Sequence, residues 1–187
     1  MCHYITVTLP QNVDADSVAL IFESYKLGFE LISNPHVSAK LEPGDLYLLT
    51  TRGHCDCGTA LGTLNGSAAR DDLSYERELK KFRKQGWSEA KINRWLEQKE
   101  QTKEKHLRED EALAKGSTLE LDQWVRLITD VLTSGYARRI GLLLHMYHGG
   151  IENERIGILR RDKVKLADLT TELLIRIEED VVYEFVV

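Results

Sequence analysis

The chain ends in VVYEFVV, residues 181–187, and this stretch decides the fold. Apart from Glu184, every residue in it is β-branched or aromatic, which is the composition of a strand. A strand this apolar is stable only when paired inside a sheet. The other end of the sequence offers a companion. HYITVTL, residues 3–9, alternates Ile5, Val7 and Leu9 with Tyr4, Thr6 and Thr8, the period-2 pattern of a strand with two unlike faces. The two ends are therefore expected in one sheet, in a strand order that the pattern leaves open.

Working inward from the C-terminus, LADLTTELLI (166–175) reads as a helix. IGLLLHMY (140–147), the Gly149-Gly150 turn and RIGILRR (155–161) read as a β-hairpin with a long loop. Leu121, Trp124, Val125, Ile128, Val131 and Leu132 make an amphipathic helical stripe. A Ser117/Glu120 capping box opens it and Gly135 closes it. From the N-terminal side, Val18, Ile21, Phe22 and Tyr25 mark a helix, with Gly28 placed to end it. FELI (29–32) is a short strand, SNP and EPGD are turns, and LYLLTT (46–51) is a buried strand.

Residues 70–115 differ in kind, because apolar residues thin out and charges of both signs crowd in. Tyr75, Leu79 and Phe82 mark one helix, ended by Gly86. Ser88 caps the next, with Trp87 packing on Ile92, and that helix runs to about Ala114. The fold class implied is α+β: a mixed or antiparallel sheet of N- and C-terminal strands with an inserted, charged helical hairpin or bundle. Its parts are 1–66 with a Cys/His cluster, 67–135 as the helical insertion, and 136–187 as hairpin, helix and final strand, all in one compact domain.

A chain of 187 residues can bury about 70% of its extended surface, so it folds without needing a metal or disulfide. No apolar run reaches the roughly 18 to 20 residues of a membrane span, and the N-terminus lacks a basic signal region. The expected compartment is the cytoplasm. A net charge of −5 argues against whole-molecule attraction to nucleic acid or membrane and suits an inhibitor or adaptor that meets a basic partner. Walker, Gly-x-Gly-x-x-Gly, Gly-x-Ser-x-Gly and His-Glu-x-x-His motifs are absent from the sequence.

The three cysteines fall in MCHY and in RGHCDCGTALG (52–62), each group beside a histidine. In a reducing compartment such residues are thiols or metal ligands. If the first strand and the LYLLTT strand are antiparallel neighbours, the start of one lies beside the end of the other. Cys2, His54, Cys55 and Cys57 then converge as a tetrahedral Cys3His set suited to zinc. His3 shares the face of Ile5 and points away. Gly53 and Gly58 would let the loop wrap an ion. The competing readings are plain core cysteines, or a reactive thiol at Cys55 or Cys57 activated by His54 or a helix N-terminus. His145 and His148 stand three apart, so on a strand they face opposite sides. They read as a half-buried strand histidine and an exposed turn histidine.

Lys80, Lys81, Lys84, Trp87, Lys91 and Arg94 belong to a basic stretch interleaved with aromatics. Its aromatics read as the buried stripe of the helical hairpin, and its cations as a surface for another protein. The function expected is a cytoplasmic, non-enzymatic protein-binding module of the inhibitor or toxin-neutralising immunity type, with a structural zinc and no other cofactor. The alternative is a thiol- or metal-dependent enzyme centred on Cys55 and Cys57. Nucleic-acid binding through the 77–95 hairpin is a lesser alternative, and no membrane partner is expected.

Overall fold

The computed structural model describes residues 2–64, 79–99, 101 and 118–187. In chain order the elements are β1 (Cys2–Leu9), α1 (Ala15–Ser24), β2 (Glu30–Leu31), α2 (Pro35–Ser38) and β3 (Leu46–Leu49). They continue with α3 (Ala60–Leu64), helical residues 79–84 (α4) and 89–99 (α5), and α6 (Thr118–Thr133). The chain closes with β4 (Arg139–Tyr147), β5 (Arg160–Lys165), a 3-10 turn at Leu166–Asp168, α7 (Thr171–Ile175) and β6 (Val181–Val186). Tyr75, Ser117 and the expected helix end near Ala114 lie outside the described residues.

The strands form one six-stranded sheet in the order β2-β3-β1-β4-β6-β5, antiparallel throughout except for the parallel β5–β6 pair. The two ends of the chain do share a sheet, with β4 between β1 and β6. The fold is α+β, as the terminal strands imply.

Strand alternation sorts the core into two layers. Ile5, Val7 and Leu9, with Ile140, Leu142, Leu144, Val181 and Phe185, face Phe22 of α1, Leu61 of α3, Leu174 of α7 and the Trp124–Leu127–Ile128–Val131 stripe of α6. The opposite face carries Tyr47, Leu143, Tyr147 and Val182, packed on Val37 of α2 and on Ile156. Longer helices cover one side, and the short α2 with loops covers the other, so the chain needs a device to hold loops down on an apolar surface.

That device explains why the expected hairpin does not form. Residues 148–159 do not return alongside β4, whose partners are β1 and β6. They cross the second face instead. Fully buried Asn34 fastens them, its amide donating to the carbonyls of Ile151 (2.8 Å) and Glu154 (2.9 Å). The same side chain accepts the N–H groups of His36 and Val37, which caps α2. The strand that follows, β5, begins at Arg160 and lies at the sheet edge with Arg160, Arg161, Lys163 and Lys165 on it, a composition that discourages edge pairing with other chains.

Gly28 does not end α1, because Lys26 takes the left-handed conformation there (φ 59°). Gly28 lies against the end of β3, donating to the Thr50 carbonyl at 2.7 Å, and a Cβ on it would stand 3.0 Å from the Thr51 oxygen. LADLTTELLI is broken by Thr170, whose hydroxyl caps the short α7 through the Leu173 N–H. Gly86 (φ 75°) follows α4, and the Ser88 hydroxyl accepts the Lys91 N–H at the start of α5, as their residue types imply. Among the described residues no helix is long and apolar enough to cross a membrane.

Candidate metal centre

Pairing between β1 and β3 stops at Thr6↔Leu49; beyond it the Thr50 N–H still reaches the Ile5 carbonyl (3.4 Å), but the Ile5 N–H and the backbone groups of His3 have no partner on β3. Unpaired buried backbone groups are costly, and the cysteine loop satisfies them. The Thr50 hydroxyl donates to the Ile5 carbonyl (2.7 Å), and the Ile5 N–H donates to the Asp56 carboxylate (2.8 Å). The Asp56 N–H donates to the His3 carbonyl (2.8 Å), and the His3 N–H donates to the Cys57 sulfur (3.1 Å). The loop substitutes for two further residues of strand. Tyr4 adds a bond from its hydroxyl to the His54 carbonyl at 2.7 Å.

Asp56 is buried in this arrangement, and its carboxylate also accepts the Thr51 hydroxyl. Burial pushes the Asp56 carboxyl above its ordinary range, with the Thr51 and Ile5 donors and the nearby His3 offsetting part of that rise. Behind the loop, the Asp56 carbonyl accepts the Thr59 N–H and hydroxyl. A Cβ on Gly62 would sit 1.9 Å from that same oxygen, so α3 packs this close only because residue 62 lacks a side chain. Glu120 of α6 holds the start of α3 through the Ala60 N–H at 3.0 Å.

The outcome is that the sulfurs of Cys2, Cys55 and Cys57 lie within 4.8 Å of one another. Cys2 and Cys55 are half-buried and Cys57 is exposed. Hydrogen bonds from the Cys57 backbone and side chain hold the Cys55 thiol below its usual range, while burial opposes them. The bond to Cys55 pushes the Cys2 thiol up, helped by burial and by the charge of the neighbouring sulfurs. The Cys57 sulfur takes a backbone N–H, from His3. Such donors favour the thiolate, the form that binds metal. Three soft sulfurs this close together can hold a metal ion.

His54 does not join them. It is exposed and stands outside the group of ligand atoms, and it meets Tyr4 there through its carbonyl. Gly53 and Gly58 are not needed for a tight wrap either, since neither is crowded and neither has a positive φ. Gly62 fills the role expected of them. Asp56 and Thr51 also escaped sequence reading, and Glu120, expected as half of a capping box, instead accepts the Ala60 N–H; an acidic residue between two cysteines was the signal for Asp56, and its burial could not be read from it.

His3 and His145 are polar clasps. His3 lies on the face of Ile5, and its Nε2 is 2.6 Å from Glu179. His145 is half-buried, with Nδ1 2.5 Å from Asp180 and Nε2 3.6 Å from Glu154, and His148 is exposed.

On the helical arm, Lys80, Lys81, Lys84, Lys91 and Arg94 are exposed. Trp87 is half-buried and stacks on Phe82 at 4.2 Å between centroids, with the Lys91 ammonium 3.9 Å from its ring centre. Trp95 meets Phe82 edge-on at 4.9 Å. The aromatics thus pack on one another, and Lys80, Lys81 and Lys84 line a shallow depression with Gln85.

No family model matches this chain, and neither a curated protein nor a solved structure matches it.

Proposed function

We propose that the protein is a non-enzymatic protein-binding module in which Cys2, Cys55 and Cys57 hold a zinc ion as a structural clip, with the basic arm meeting an acidic partner protein. The carrying observation is the convergence of three sulfurs from the start of β1 and from the loop after β3, with the Cys57 sulfur already served by the His3 N–H. Zinc there would join the loop to β1 at the point where β3 runs out, reinforcing the Asp56 and Cys57 bonds. A toxin-neutralising or inhibitory role agrees with a small acidic chain that carries a locally basic arm, and the cytoplasm agrees with reduced cysteines.

The test is elemental analysis of protein purified without a histidine tag, for the native chain and for Cys57→Ser. One zinc per chain, lost in the variant together with several degrees of thermal stability, is the expected result. A metal-free native protein with three titratable thiols rejects it.

One observation favours the second reading, a thiol- or metal-dependent enzyme. Three protein sulfurs leave one position of a tetrahedral zinc to an outside donor, and an open position is the mark of catalytic sites. Cobalt substitution separates the two. A visible spectrum unmoved by added small thiols supports the structural clip, and one that shifts on titration supports the open site.

A further inference from the structure

We propose that the same three thiols form a peroxide-responsive site, in which Cys55 is oxidised and Cys2 closes on it as a disulfide. The inference rests on the zinc reading only for one consequence, the release of the ion.

The Cys55 sulfur lies within 4.8 Å of both the Cys2 and the Cys57 sulfur, so an oxidised Cys55 has a thiol within reach on either side. The cluster lies at the surface, with Cys57 exposed and the other two half-buried, so a molecule as small as hydrogen peroxide has access. Of the two resolving thiols, Cys2 is the better placed. Cys57 is two residues from Cys55, a spacing that works against the near-perpendicular dihedral a disulfide prefers. Its sulfur also holds the His3 N–H. Cys2 belongs to a strand whose backbone is fixed by pairing with Tyr147, and only its side chain has to turn.

The chemistry balances. The Cys55 thiolate attacks one peroxide oxygen, the O–O bond breaks, and the departing hydroxide takes up a proton to leave as water. Cys55 is then a sulfenic acid. The Cys2 thiolate attacks its sulfur, the S–O bond breaks, and a second hydroxide leaves as water. Two thiols have lost two electrons to one peroxide, and an S–S bond joins β1 to the loop. A zinc ion deprived of two of its three thiolates is released. The bonds that Asp56 and Cys57 make to β1 are not consumed, so the sheet persists.

The experiment uses the full chain, purified without a tag, with its zinc content measured beforehand. After hydrogen peroxide the intact mass should fall by about 2 Da and titratable thiols should fall from three to one. Tryptic mapping should link the peptide of residues 1–26 to that of residues 53–70, with Cys57 still open to alkylation. In Cys2→Ser a dimedone adduct should collect on Cys55, whereas Cys57→Ser should still form the disulfide. A Cys55–Cys57 bridge, or first oxidation at another cysteine, overturns the proposal, and mapping of the native chain shows either without relying on a variant that folds. Metal-free protein that forms the Cys2–Cys55 bond supports this inference and rejects the zinc reading. Zinc-loaded protein that keeps all three thiols under peroxide does the reverse.

Discussion

Asp56 sits between the two loop cysteines, and its buried carboxylate takes the Ile5 N–H that β3 leaves over. Glu154 plays a similar part on the other face, accepting the N–H groups of His148 (2.8 Å) and Gly149 (2.7 Å), with His145 nearby. Burial acts to raise the Glu154 carboxyl, but the Gly149 and His148 donors and His145 outweigh it, and the net direction is down. A carboxyl depressed in the fold stabilises it above the ordinary glutamate range of about 4.3, and the contribution is lost as pH falls through the lower folded value. Glu154→Gln should therefore flatten the acid limb of the stability curve below about pH 4.3. Urea midpoints for both proteins between acid and neutral pH measure this, and an unchanged slope removes Glu154 as the cause. At this scale the sequence was legible for chemistry and not for position. The three sulfurs announced themselves as a cluster, whereas an aspartate between them looks the same in a solvated loop as under a strand.

Elements depend on close approaches that a single atom can spoil. Gly141 of β4 stands opposite Thr8 of β1, where a Cβ would come 2.1 Å from the Thr8 hydroxyl and 3.2 Å from Val182. Gly141→Ala should cost about 1 to 3 kcal/mol by overpacking. Adding Thr8→Ala removes the contacting oxygen and should restore most of that loss. Denaturant unfolding of the two single variants and the double variant decides it, since simple additivity would place the strain elsewhere. Strand and helix identities were readable because alternation and the 3.6-residue stripe are local properties. The 155–161 run shows where local reading stops. Apolar–glycine–apolar is the pattern of a hairpin and equally of a strand followed by a crossing segment. The choice was made by Asn34, more than a hundred residues away, which gives two hydrogen bonds to the crossing segment while two more cap α2.

Charge is segregated across the whole molecule. Residues 79–99 carry Lys80, Lys81, Arg83, Lys84, Lys91, Arg94 and Lys99 against Glu89 and Glu97, within a chain of net charge −5. An acidic partner seated there should be held electrostatically, so Lys80→Glu with Lys84→Glu should abolish its capture while leaving the melting temperature unchanged. Capture by the native protein should weaken as salt rises. Pull-downs from the native host that return no stoichiometric partner overturn the assignment. The body of the protein uses charge differently. Buried Glu184 of β6 meets Arg139 of β4 (2.9 Å) and Arg161 of β5 (2.7 Å), and Arg139 reaches on to Asp45 beside β3 (2.6 Å). One face of the sheet is thereby tied across four segments.

The sequence by itself determined the types of β1, α1, β3, α6, β4 and β6, the sharing of one sheet by the two chain ends, and the meeting of Cys2 with Cys55 and Cys57. Each follows from residue periodicity or from the adjacency of antiparallel strand ends, which are short-range rules. Tertiary structure alone decided the strand order, the crossing of residues 148–159 over the second core, the exclusion of His54, and the burial of Asp56. Those outcomes depend on which distant groups satisfy one another's hydrogen bonds and fill one another's space. Such pairings are set by the packed molecule as a whole, and no window of sequence contains them.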